Sequence, residues 1–164
     1  MLPKRKATRL KGYDYSTQGA YFITICVKDK KEILSRIIVG QGLAPAENQL
    51  TIYGKIATEQ IEELENRYKG IKIDNYVVMP NHIHLLISNY ETAAGASPCP
   101  TISEVICTFK SLTTRLCKNN GLKEKQLFQN SFHDHIIRGE ADYKKIWEYI
   151  DTNVLQWKKD CYYE

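Results

Sequence analysis

Residues 71–88 read IKIDNYVVMPNHIHLLIS: two β-branched, strand-like runs hinged on Pro80-Asn81. Proline sets φ for a turn and asparagine tolerates its second corner, so the dipeptide is good turn chemistry between strands. A strand places i and i+2 on one face. His82, His84 and Leu86 therefore point one way, and Ile83, Leu85 and Ile87 point the other, as a core face. A chain carrying this segment must bury one side of a sheet and do something else with a side that presents two imidazoles.

The rest of the pattern supplies the cover. Tyr21–Val27 (YFITICV) reads as a buried strand, and Ile33–Val39 as a second. Residues 40–48 (GQGLAPAEN) read as a loop. From about Leu50 to Tyr68 the spacing is helical: Ala57, Ile61, Leu64 and Tyr68 form one stripe, with Gly70 as a stop. After a small, proline-bearing loop at 91–100, Thr101 or Ser103 caps a helix to about Asn119, with stripe Ile102, Val105, Ile106, Phe109, Leu112 and Leu116. Phe132–Arg138 reads as a short strand. Glu140–Trp157 is the last helix, with stripe Tyr143, Ile146, Trp147, Ile150, Val154 and Trp157. Strands and helices alternating in a chain of 164 residues point to an α+β fold, with helices packed on an antiparallel sheet. The division expected is a basic flexible arm at 1–19 and one domain at 20–164.

Composition excludes several classes. At 43% hydrophobic and 26% charged the chain is ordinary globular material. No apolar stretch approaches the roughly 20 residues of a membrane helix, and MLPKRKATRLKG has no apolar core after its charges, so a cytoplasmic protein is expected. Five cysteines, odd in number and without CxxC, read as free buried thiols. The net charge of +4 is modest but segregated. Lys4, Arg5, Lys6, Arg9 and Lys11 precede any acid, and Lys110, Arg115, Lys118, Lys123 and Lys125 face only Glu124. Such clustering suits a polyanion partner or a solvated surface.

The four histidines form two His-x-His pairs. His82 and His84 on one strand face make half of a divalent-metal site, or else are two hydrogen-bonded surface histidines. His133 and His135, in FHDHIIR, read as a polar strand end, with His135 a possible auxiliary group; Arg138 could hold a phosphate or pair with Asp134 or Glu140. Tyr149 and Asn153 lie one turn apart on the last helix, Tyr149 off the buried stripe and Asn153 at its edge.

Together MPNHIHLLI, TFKSLTTRL and FHDHIIRGEADYKKIWEYIDTN resemble the REP-associated tyrosine transposases, single-tyrosine members of the HUH endonucleases (H histidine, U hydrophobic). The resemblance runs from about Gly12 to Trp157. It implies a ferredoxin-like antiparallel sheet with helices packed on it, His82 and His84 as metal ligands, Tyr149 as nucleophile and Asn153 as third ligand. It implies a single-stranded DNA substrate with a hairpin, typically a repetitive extragenic palindrome, nicked and rejoined through a 5′-phosphotyrosyl intermediate. Lys4, Arg5, Lys6, Arg9, Lys110, Arg115, Lys118 and Arg138 would then contact DNA. Monomeric and homodimeric members are both expected in such a family, and a nucleoid location would follow from the substrate. One departure stands out: the family's Asn-Pro is Asn153-Val154 here, which bears on where the helix ends.

The chemistry fits these residues. A phenol of pKa near 10 is about 0.1% ionised at pH 7, roughly 4 kcal/mol from full activation, so attack on a phosphodiester needs charge stabilisation. Mixed nitrogen and oxygen donors suit Mg²⁺ or Mn²⁺, and imidazole favours Mn²⁺. Competing readings are a hairpin-binding module without cleavage, an α+β protein with an incidental HIH, and a histidine-triad hydrolase. The last would need a third histidine where Leu86 stands.

Overall fold

The computed structural model describes residues 19–90 and 100–163. The arm with Lys4, Arg5, Lys6 and Arg9, most of the 91–100 loop, and Cys99 lie outside the described residues.

Four strands form one antiparallel sheet: β1 (Gly19–Cys26), β4 (Ile71–Val78), β5 (His82–Asn89) and β6 (His133–Ile136), in spatial order β4-β5-β1-β6. Helices α1 (Ile52–Glu62), its short continuation α2 (Leu64–Arg67), α3 (Ile102–Asn119) and α4 (Glu140–Thr152) connect or follow them. Leaving aside a separate two-stranded ribbon, β2 (Ser35–Ile38) with β3 (Glu47–Leu50), the order is β-α-β-β-α-β, the ferredoxin-like arrangement expected, followed by α4. The fold is α+β.

The Pro80-Asn81 turn closes the β4–β5 hairpin, with the Met79 amide donating to the His82 carbonyl at 2.8 Å. β1 then pairs with β5 over its whole length, Gly19 opposite Asn89 through Cys26 opposite His82. Ile23, Ile25, Ile83, Leu85 and Ile87 face one way and are fully buried beneath Ala57 and Ile61 of α1 and Val105, Ile106 and Phe109 of α3. Alternation in the sequence alone selected that face. Full burial of each aliphatic side chain contributes about 1.5–3 kcal/mol, and Phe109→Ala is expected to cost about 3–5 kcal/mol.

Local chemistry fixes the helix starts. Thr101, not Ser103, caps α3: its hydroxyl accepts from the Glu104 amide at 3.2 Å and the Glu104 carboxylate accepts from the Thr101 amide at 2.8 Å, a reciprocal capping box. Thr51 caps α1, which therefore begins at Ile52. Gly54 lets α1 approach the chain at Leu34, where a Cβ would meet the Leu34 carbonyl oxygen at 2.0 Å. Gly70 ends the helical segment at φ +89°, a conformation suited to glycine.

Several sequence expectations are corrected. The stretch 40–48 is not all loop, because Glu47 and Asn48 already pair with Ile38 and Ile37. The helix read from Leu50 to Tyr68 breaks at Glu63. The last helix stops at Thr152 even without a proline at 154, and Trp157 sits in a separate 3₁₀ turn at Trp157–Lys159. Trp147 is exposed, so of the expected α4 stripe only Ile150 is fully buried within the helix. The thiols are not all buried either: Cys26 and Cys117 are, whereas Cys107 and Cys161 are exposed. Among the described residues no helix is long and apolar enough to cross a membrane.

Candidate active site

The sheet face opposite the α1–α3 core gathers the candidate site residues. Register partners share a face, so Thr24 aligns with His84 on one side and His133 on the other, while Phe22 aligns with Leu86 and His135. Both His-x-His pairs thus stand on one face. α4 crosses it, tied to β4 by the Asn75 amide donating to Asp151 at 2.9 Å.

His82 and His84 are fully buried, and their Nε2 atoms are 3.0 Å apart. Each ring is fixed from behind. His82 Nδ1 lies 2.8 Å from Asn81 Oδ1, and Asn81 itself donates to the Tyr162 carbonyl at 2.7 Å. Since that oxygen only accepts, His82 carries its proton on Nδ1 and leaves Nε2 bare. His84 Nδ1 lies 2.9 Å from Thr24 Oγ1, a hydroxyl able to donate or accept. Burial lowers both imidazoles, His82 to about 4 despite the opposing field of Asp160, and His84 well below the usual value, with His82 adding to the effect. Both are neutral at neutral pH, as ligand nitrogens must be.

The segment after α4 brings a group that sequence reasoning missed. Asp160 Oδ2 lies 3.8 Å from His82 Nε2, and one ligand atom from each of His82, His84 and Asp160 fits within 4.8 Å of the others. Asn153, buried at the end of α4, donates from Nδ2 to Asp160 Oδ2 at 3.1 Å. Its Oδ1 is buried without a partner among the described residues. A buried, orphaned amide oxygen is costly unless a hydrogen-bond donor or a cation meets it. The two Nε2 atoms, a carboxylate and that oxygen form a donor set that fits one divalent ion, which would take the place of the proton shared between the imidazoles.

Tyr149 packs beside this cluster. Its ring centroid is 5.3 Å from that of His84 and 5.9 Å from that of Phe22, edge to face. It is 36% exposed, so the phenol is reachable. Burial of part of the ring and the Asp160 charge push its pKa up, while a hydrogen bond with Asn153 opposes them. The phenol is neutral at neutral pH, and forming the phenolate calls for positive charge.

The expected site residues do not all converge. Tyr149, His82, His84 and Asn153 do. Lys110, Arg115 and Lys118 lie on α3, across the sheet, lining a cavity of about 410 Å³ that no acidic residue lines. The Lys110 ammonium is tied to the Gln129 carbonyl, whereas Arg115 and Lys118 are exposed. Arg138 is exposed, and its backbone amide, at 2.9 Å, donates to Asp142. His135 sits on the active face but is paired with Asp142 at 2.8 Å. Of the residues missed, Asn81 adjoined the motif, but Asp160 lies beyond any periodic element and carried no signal.

The buried pair has a consequence for stability. Below about pH 6.5 an unfolded imidazole takes up a proton that folded His82 refuses until about pH 4. The unfolded state binds more protons in that window, so stability falls as pH falls through it, by about 3 kcal/mol for His82 alone in metal-free protein. Thermal melts of metal-free protein from about pH 7 down to about pH 4 check this. A melting temperature flat across that range would mean solvated histidines.

Residues 16–153 match the family described as IS200-like transposases. An uncharacterized protein of Haemophilus influenzae Rd is 32% identical, over 97% of this chain and 93% of its own length. A structure of a REP-associated tyrosine transposase bound to a REP hairpin superposes with a TM-score of 0.64 at 19% identity, covering 91% of this chain and 74% of that one. A transposase-like protein of Deinococcus radiodurans R1 gives 0.52 at 17% identity, covering 88% of this chain and 95% of its own. The fold is thus shared with both structures, and the chain belongs to the IS200-like transposase family.

Proposed function

We propose that this transposase is a metal-dependent single-strand DNA endonuclease that nicks and rejoins hairpin-containing DNA through Tyr149. The observation that carries the reading is the phenol of Tyr149 set against His84, beside an orphaned Asn153 oxygen, on the one sheet face that gathers both buried histidines. In the step proposed, Tyr149 Oη attacks the scissile phosphorus, the P–O3′ bond breaks, and the 3′ oxygen leaves with the electron pair and gains a proton. The product is a 5′-phosphotyrosyl link with a free 3′-OH, which keeps the bond energy for rejoining.

His82, His84, Asp160 and Asn153 would hold the ion, Mg²⁺ or, with two imidazoles, preferably Mn²⁺. Bound there, it would polarise the phosphate oxygens and stabilise charge developing in the transition state. Thr24 and Asn81 orient the two rings through their Nδ1 atoms. The solved relative bound to a REP hairpin supports a hairpin substrate here.

The test uses end-labelled single-stranded hairpin oligonucleotides with Mn²⁺ on a denaturing protein gel. A shifted band carrying the label downstream of the cut supports the reading. Tight, salt-sensitive binding with no adduct would favour a hairpin-binding module instead.

The α3 groove gives a second expectation. It lies on the other side of the sheet from Tyr149, so Arg115 and Lys118 would grip a part of the DNA remote from the cut. Arg115→Ala with Lys118→Ala is expected to flatten the salt dependence of binding by a log–log slope of about 0.7–0.9 for each phosphate no longer neutralised. Binding titrations across a range of salt concentration measure it, and an unchanged slope would remove this surface from the interface.

A further inference from the structure

α4 carries a third polar group in line with the nucleophile. Lys145, Tyr149 and Asn153 fall at i, i+4 and i+8, one side of the helix. The Lys145 side chain is exposed and makes no hydrogen bond or ion pair among the described residues, whereas that of its neighbour Lys144 pairs with Glu140 at 3.2 Å. Asp142, a carboxylate that its charge reaches, already accepts from His135 and the Arg138 amide. Lys145 and Tyr149 together line a cavity of about 290 Å³, walled by Phe22, His84, Ile146 and Tyr162. The walls are mostly aromatic and aliphatic carbon. That volume is near the lower end for ligand sites, about 300 Å³, which suits one nucleotide unit and not a length of strand.

We propose that this cavity is a single-nucleotide pocket, in which an unpaired base next to the cleaved bond lies among the rings and the Lys145 ammonium binds the phosphate that Tyr149 attacks. The proposal rests on the transesterification reading above. A cation alone would serve any polyanion, and an apolar cavity alone any ring. The two side by side, at the nucleophile, match a ligand with a flat π face at one end and a phosphate at the other. Lys145 stays protonated throughout: it holds a non-bridging oxygen while the Tyr149 Oη–P bond forms, the P–O3′ bond breaks, and the proton lost by the phenol is balanced by the one gained at O3′.

Single-turnover adduct formation on a hairpin oligonucleotide with Mn²⁺ tests this. Lys145→Ala is expected to slow the step roughly 10- to 100-fold, the range for a hydrogen bond to a charged group, and Lys145→Arg to recover most of the rate. Mn²⁺ affinity by calorimetry is expected to be unchanged in both, which separates phosphate binding from damage to the histidine site. An abasic nucleotide placed in turn on each side of the cut is expected to slow the wild type about tenfold at one position, and Phe22→Leu to shrink that penalty. Lys145→Ala reacting at the wild-type rate would overturn the lysine's role, and abasic substrates reacting like intact DNA would overturn the base pocket. No adduct from the wild type on intact DNA would instead remove the transesterification reading, and this inference with it.

Discussion

Tyr149→Phe is expected to abolish the covalent protein–DNA adduct while leaving hairpin affinity within about twofold. The substitution removes one oxygen and keeps the ring. The edge-to-face contact with Phe22 and the contact with His84 survive, so α4 keeps its seat on the sheet. No other described tyrosine replaces it: Tyr162 packs over His82 at 4.4 Å, and burial together with neighbouring acidic groups pushes its pKa up further. Loss of a nucleophile typically lowers the rate by four orders of magnitude or more. Label transfer at single turnover measures it. Normal cleavage by the variant would assign the chemistry to another residue.

The second large effect concerns the ion. His84→Ala is expected to eliminate Mn²⁺ binding at the site, and Asp160→Asn to weaken it roughly 10- to 100-fold while keeping the shape of the cluster. Two neutral imidazoles and an amide bring no charge, and Asp160 is the one anionic donor in the set. Burying a divalent ion without a counter-charge is expensive. The carboxylate accepts from both Asn153 Nδ2 and the Tyr162 amide, and an asparagine can keep only one of these bonds, so an unchanged melting temperature is the control that weaker binding reports charge rather than collapse. Calorimetry and the Mn²⁺ spin-resonance signal read binding directly, without DNA. Unchanged affinity in both variants would place the ion elsewhere, with His133 and His135 on the same face the next residues to test.

How legible this site was differed from residue to residue. The two-residue period of NHIHLLI separated core face from chemical face, and the structure keeps that division. Helix spacing made it readable that Tyr149 and Asn153 share one side of α4, whereas their roles were implied only by the family resemblance. The α4 stripe was misread where the helix yields to a turn and a 3₁₀ segment, since backbone geometry changes there while the apolar spacing runs on through Trp157. Glu47–Leu50 was missed as a strand because its only sheet partner is β2, a pairing set by a loop and not by hydrophobic alternation.

From the sequence alone came the α+β class, the inward face of the sheet, and four of the residues that meet at the site. The class and the face depend on periodicities of two and 3.6, which are properties of local backbone geometry, and the four residues on motifs that resemble the family's. Only the tertiary structure decided that Asp160 joins the histidines, that Thr24 and Asn81 orient them, that Lys145 shares a cavity with Tyr149, and that the α3 cations lie across the sheet from the phenol. Those placements depend on strand order, register and the path of the chain after α4. Each is set by the packing of whole elements against one another, and no local pattern encodes it.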